Sequence, residues 1–217
     1  CIGGVLLQAG FFGFVYAGMR AGVPPAAAGL IAGLMPLTTA LFAALALGER
    51  MTRGAAVGLA LGLAGVLFVV IPDLQTPGNL LGYVFVFLAL ASLSLGTVYQ
   101  KRHASSVDAR LALIAQVSAA MLVLLPFAWW LEGLELHLTP ASVGGIAWAI
   151  LINSCSGLLL YLWLLRRGAA ARVASLFFLV PPVTAALAAA FLGARFGLHD
   201  AVGVGLAAAG VWLGQRG

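Results

Sequence analysis

Two side-chain amides stand where chemistry with a polar solute is possible. Gln8 and Asn153 lie inside long apolar runs, 145 residues apart (153 − 8). A carboxamide offers both a donor and an acceptor. Inside an apolar span such a group is costly unless it is paired or faces water. Two uses follow: lining a cavity that holds a small zwitterionic or polar solute, or bonding between helices for roughly 0.6 kcal/mol on average. Ser154 and Ser156 flank Asn153 and extend that polar wall. Ser92, Gly96 and Tyr99 fall at i, i+4 and i+7 and share one helix face, either a cavity lining or a small-residue packing seam. Gln116 and Ser118 also interrupt an apolar run but point in different directions.

Other chemistries are missing from these runs. No Asp, Glu, Lys, Arg or His falls mid-run, so no proton relay is visible, and facilitated diffusion is the simpler expectation. Cys1 and Cys155 make neither a disulfide framework nor a metal spacing, and His103, His137 and His199 are scattered in or beside loops. There is no nucleophile with its base and no phosphate loop, and an enzyme at membrane depth would need such a cluster. The expectation is no enzyme, no metal and no cofactor. A net charge of +5 invites a nucleic-acid reading, but the basic residues sit singly or in pairs between apolar runs, without a basic stripe.

The elements that must position these residues follow from composition. Of 217 residues, 63% are hydrophobic and 8% charged, against about 25% charged in a soluble domain. Lipid accommodates such a surface, and lipid restricts the backbone to helices or closed barrels. The runs are long and continuous, which selects an all-α integral membrane protein. Eight spans are placed at 3–19, 23–48, 54–71, 79–100, 108–131, 140–165, 169–192 and 198–215. Between them lie short polar or Pro/Gly breaks. The chain starts at Cys1 inside an apolar run with no charged segment before it, unlike a signal peptide. Arg50, Arg53, Lys101, Arg102, Arg110, Arg166, Arg167, Arg172 and Arg216 gather on one side, and only Arg20 and Arg195 on the other. By the positive-inside rule the first side, and the C-terminus, are cytoplasmic.

Sliding the sequence by 145 residues aligns it with itself without a gap. Tyr16 meets Tyr161, Pro36 meets Pro181, Thr39 meets Thr184, and Gly48-Glu49-Arg50 meets Gly193-Ala194-Arg195. Ala56-Val57-Gly58 meets Ala201-Val202-Gly203, and Ala64-Gly65-Val66 meets Ala209-Gly210-Val211. Five spans fill each period, and an odd number inverts the second copy, a recurrent plan of secondary transporters. The copies are 1–77 (three helices) and 78–217 (five). Because 78 − 145 = −67, the first copy lacks about 67 leading residues, enough for two helices. The expected architecture is eight helices of an inverted five-plus-five repeat lacking its first two.

Pro36 and Pro181 are expected mid-helix, where each removes a donor and bends its helix, shaping a cavity. Tyr16 and Tyr161 fall near span ends and are expected as interfacial anchors. Glu49, beside Arg50, opposes the helix dipole at its helix end and is expected to have a partner. Both residues are taken as structural, holding the turn into the next helix.

The run from Pro36 to Leu47-Gly48-Glu49-Arg50, followed by the Gly-rich helix from Gly58 to Ala64-Gly65-Val66, resembles the EamA domain of the drug/metabolite transporter superfamily. The likeness covers nearly the whole chain. Ala194 departs from it, standing where the family usually has Glu. The resemblance implies a ten-helix plan in a bacterial inner membrane and a secondary carrier, an exporter or facilitator of amino acids or related small polar metabolites. Its partners would be a small-molecule substrate and the bilayer. The alternative expectation is a truncated, transport-inactive fragment or scaffold.

Overall fold

A computed structural model describes residues 1–73, 79–103, 109–133, 138–156, 183, 187, 190 and 197–216. The chain divides into two compact units, Cys1–Leu125 with Phe177–Gly217, and Pro126–Leu176. Every regular element among the described residues is a helix.

The first helix, α1 (Ile2–Arg20), has 19 residues. At 1.5 Å per residue it is about 28 Å long, close to the hydrocarbon thickness of a bilayer. It stops where Gly22, with φ +105°, lets the chain reverse. Pro25 then opens α2 (Pro25–Ala32) at a first-turn position, where a missing N–H leaves nothing unpaired.

A single span over 23–48 with a mid-helix Pro36 was expected. The structure breaks it instead at Gly33–Leu34 into α2 and α3 (Met35–Leu47), bent by 42°. Pro36 is the second residue of α3, not its middle. The physical reason is that the ring supplies no N–H and clashes with the carbonyl four residues back. A break just upstream places Pro36 where no donor is needed. Gly48, with φ +68°, caps α3 in the left-handed conformation.

Five further helices follow among the described residues: α4 (Arg53–Asp73), α5 (Asn79–His103), α6 (Ala109–Glu132), α7 (Pro140–Ala147) and α8 (Leu198–Arg216). Thr52 Oγ1 accepts the Ala55 N–H at 3.1 Å to start α4. Thr139 and Ser142 form a reciprocal cap on α7, which runs on as a π-helical stretch, Trp148–Ser156. Asp200 Oδ2 accepts the Gly197 N–H at 2.8 Å at the start of α8.

Among the described residues four helices are long and apolar enough to cross a membrane: Ile2–Arg20, Arg53–Ile71, Asn79–His103 and Leu111–Leu131; the bent α2–α3 pair makes a fifth. Pro140–Ile152 and Leu198–Gly214 are shorter apolar helices. The rest of the 140–165 span lies outside the described residues, as do Pro181, Tyr161, Thr184 and all of 169–192 but three positions.

In the first unit α5 is central. Half of its most apolar window is buried, against 11% for α6. Its Tyr83, Val86, Ala89, Leu90 and Val98 are buried, and α1, α2 and α3 pack against it. Ile31, Leu34, Leu37, Val66 and Val211 continue the same core. On α6, by contrast, Leu111, Ile114, Met121 and Leu122 are exposed. An apolar surface this extensive demands lipid rather than water.

The helices α4 and α8 pack along a backbone seam. A Cβ at Gly58 would meet the Gly210 carbonyl, and one at Gly65 would meet the Gly203 carbonyl. As the residue number rises on one helix it falls on the other, so the pair is antiparallel. The absence of side chains at these crossings is what lets the backbones touch.

Candidate functional site

Four of the six expected site residues fall on two helical stretches that depart from α geometry, and Ser92 and Tyr99 lie on the regular α5. The Val5–Gly10 stretch of α1 is π-helical, and Gln8 lies inside it. The Trp148–Ser156 stretch is also π-helical, and it carries Asn153, Ser154 and Ser156 on its backbone. Their side chains lie outside the described residues. Shifted by 145, Val5–Gly10 becomes 150–155, which falls within 148–156. Single π turns are rare and concentrate at functional sites, because the inserted residue pushes a carbonyl out of the regular ladder.

Around Gln8 the packing is specific. Its side chain is half-buried and makes no hydrogen bond among the described residues. Two positions earlier, the Leu6 carbonyl accepts the Ser92 hydroxyl of α5 at 2.8 Å. Ser92 is 7% exposed. Gly10 makes room for it, since a Cβ there would collide with Ser92 Oγ. Just past the π turn, the Phe11 N–H donates to the Gln8 carbonyl.

The Ser92–Gly96–Tyr99 face is covered by α1. A Cβ at Gly96 would touch Leu7, and one at Gly3 would lie 3.8 Å from the Tyr99 ring. The half-buried Tyr99 stacks on His103 with ring centroids 4.3 Å apart. Ser92 and Tyr99 thus sit in a packing seam beside Gln8. Gln116 meets α1 at Gly4, where its backbone leaves no room for a Cβ. Tyr16 is exposed, stacked on Phe12.

Sequence reasoning passed over a second set of hydroxyls. Thr38 Oγ1 and the fully buried Ser94 Oγ lie 2.6 Å apart, joining α3 to α5. Thr38 also donates toward the Leu34 and Met35 carbonyls beside the helix break, each at 3.2 Å. Thr39 Oγ1 is buried with no hydrogen-bond partner among the described residues. Lone Ser and Thr residues in Ala- and Leu-rich helices gave no spacing to pick them out.

Glu49 does have a partner. Lys101 Nζ donates to both of its carboxylate oxygens, at 2.6 and 2.9 Å, tying the α3–α4 turn to the end of α5. Both side chains are about half exposed, so the pair contributes at most about 1 kcal/mol. Arg50 is exposed next to it. An apolar groove of about 480 Å³ lies elsewhere, lined by Ala64, Leu67, Phe68, Ile71 and His199. Only one polar side chain lines it, so it suits a lipid chain better than a polar solute.

Long apolar helices with a lipid-compatible surface put the molecule in the class of multi-spanning helical membrane proteins. Comparison with known proteins then narrows the class. The chain belongs to the EamA-like transporter family, whose model matches residues 2–71 and 80–214. It is 28% identical over 169 residues to "Uncharacterized transporter YvbV" of Bacillus subtilis (strain 168), covering 76% of this chain and 55% of that protein. It is 25% identical over 221 residues to the "Probable amino-acid metabolite efflux pump" of Salmonella typhimurium, covering 97% of this chain and 74% of that one. The chain thus spans little more than half of the Bacillus relative. No solved structure matches it.

Proposed function

We propose that the protein carries amino acids or related small polar metabolites across the bacterial inner membrane as a facilitator or exporter, with Gln8 and Asn153 contacting the solute. The observation that carries this is the half-buried Gln8 amide, unbonded among the described residues and set in a π turn. Asn153 sits in a π stretch at the matching register. A carboxamide in that state has its donor and acceptor free for an ammonium and a carboxylate. The printed name of the Salmonella relative supports the substrate class. No charged side chain on the path is needed for facilitated movement.

The proposed architecture is eight spans from an inverted repeat, 1–77 and 78–217, with the C-terminus cytoplasmic. The two stretches matched by the family model fall on either side of that boundary, and the antiparallel α4–α8 pair supports the inversion. Ser154 and Ser156, next to Asn153 in the sequence, belong to the proposed contact set.

The test is uptake of a panel of ¹⁴C-labelled amino acids into proteoliposomes holding the gene's full product. Gln8→Ala and Asn153→Ala should each cut the rate at subsaturating solute about five-fold or more, the factor for a lost hydrogen bond of ~1 kcal/mol. Wild-type rates in both variants would remove these residues from the site.

A further inference from the structure

We infer that Ser92 is the positioning residue for Gln8: its hydroxyl holds the π turn of α1 open and so fixes where the Gln8 amide points. This rests on the solute-contact reading of Gln8.

A serine inside a helix ordinarily returns its hydroxyl to a carbonyl one turn back on its own helix. Thr97 of α5 does so, donating to Leu93 at 2.8 Å. Ser92 does not. It reaches across to α1 and bonds the Leu6 carbonyl at 2.8 Å, inside the π stretch. Its path is clear only because residue 10 is glycine. The partner carbonyl belongs to a turn that holds one residue more than an α turn. With little water at this depth, a displaced carbonyl needs a donor from a neighbouring helix.

Without that donor the turn gains by closing to α geometry. Closure removes the inserted residue's displacement and turns the following segment by up to ~100°, one residue's rotation. Gln8, two residues past Leu6, moves with it. Ser92 thus acts on the solute through Gln8, from a buried position where it touches no solute itself.

The sequence offers a clean probe. Gln8–Ala9 is the chain's only Gln-Ala pair. Protein labelled with ¹³C-carbonyl Gln and ¹⁵N-Ala, reconstituted in bilayers, therefore gives one Gln8–Ala9 cross-peak by solid-state NMR, with no solute required. Ser92→Ala and Gly10→Ala should both move that peak. Ser92→Thr, which keeps the hydroxyl, should leave it in place. Ser94→Ala, which empties a different buried bond on the same helix, should also leave it. An unmoved peak in Ser92→Ala and Gly10→Ala overturns the inference.

Transport separates the two roles. With the ¹⁴C amino-acid panel, Ser92→Ala should raise KM about five-fold with little change in kcat, and add nothing in a Gln8→Ala background. A KM effect that persists without Gln8 would make Ser92 a solute contact and overturn the positioning role. A moved peak with wild-type transport by Gln8→Ala sinks the solute role of Gln8 and leaves the latch standing.

Discussion

Gly58→Ala is a small change with a large expected effect. An ideal Cβ at Gly58 runs into the Gly210 carbonyl, and it would also lie 2.9 Å from the Gly214 nitrogen and 3.1 Å from its Cα. All three neighbours are backbone, so no side chain can rotate away. Ordinary contact begins near 3.4 Å, so the helices must part by about 0.5–1 Å, which forfeits a quarter to a half of each local dispersion contact. Overpacking of this kind costs about 1–3 kcal/mol. Gly205 provides the internal control, because it lies on α8 with nothing within 4 Å of a new Cβ. There alanine is the better helix former and gains up to ~1 kcal/mol. The two single-methyl variants should therefore move in opposite directions, a spread of about 1–4 kcal/mol. Thermal unfolding in detergent micelles, followed by near-UV circular dichroism, reads the difference. Gly58→Ala with a stability equal to that of Gly205→Ala would refute the backbone seam. The double variant Gly58→Ala/Gly65→Ala should cost less than the sum of its parts, because helices already parted at one crossing meet less resistance at the other.

Two further outcomes follow from the polar contacts of α5. Thr38→Val and Ser94→Ala should each lower stability by about 0.6 kcal/mol, and the double variant no further than the worse single, as expected for one shared interhelical bond; additive losses in the same unfolding assay would show two independent roles. Glu49→Gln or Lys101→Met should cost less than ~1 kcal/mol, and that cost should fade as salt rises to 1 M because the pair is half exposed; a salt-independent loss larger than that would mean the turn is held by something else.

The legible parts of the fold were those governed by hydropathy and charge. The bounds placed at 54–71, 79–100 and 198–215 meet Arg53–Asp73, Asn79–His103 and Leu198–Arg216 to within a few residues. Apolar run length decides these, since polar residues mark where lipid ends. The break before Pro36 was half legible: the ring announces a bend, but the two residues separating it from Gly33 depend on which turn gives way. The ion pair of Glu49 was expected as an unnamed partner. Lys101, 52 positions away, emerges only once α3 and α5 are packed together. At the candidate site, Gln8 was visible as an amide in an apolar run. Its π turn was not, because one inserted residue leaves the 3.6-residue pattern almost unchanged. Ser92 was legible as a face with Gly96 and Tyr99, yet periodicity cannot tell a cavity lining from a seam. Only the position of α1 against that face decides.

The α4–α8 seam bears on the repeat in a way that a self-alignment cannot. Low-complexity Ala, Gly and Leu sequence aligns with itself by chance, so matched letters alone are weak support. Contacts offer a separate test. If two copies are related by a two-fold axis, then a contact between i in the first copy and j in the second requires a contact between i + 145 and j − 145. Gly58 with Gly210 maps onto Gly203 with Gly65, and both contacts are present. In each the approach is reciprocal, the Cβ position of either glycine meeting the carbonyl of the other. Any antiparallel register satisfies this exchange, because a pair and its image share the same sum of residue numbers. What carries weight is the antiparallel sense itself, which an inverted relation meets, whereas a directly repeated copy would run the final helices of the two halves in the same direction. An antiparallel seam is thus what the proposed inverted repeat requires of its two final helices, apart from any matched letters.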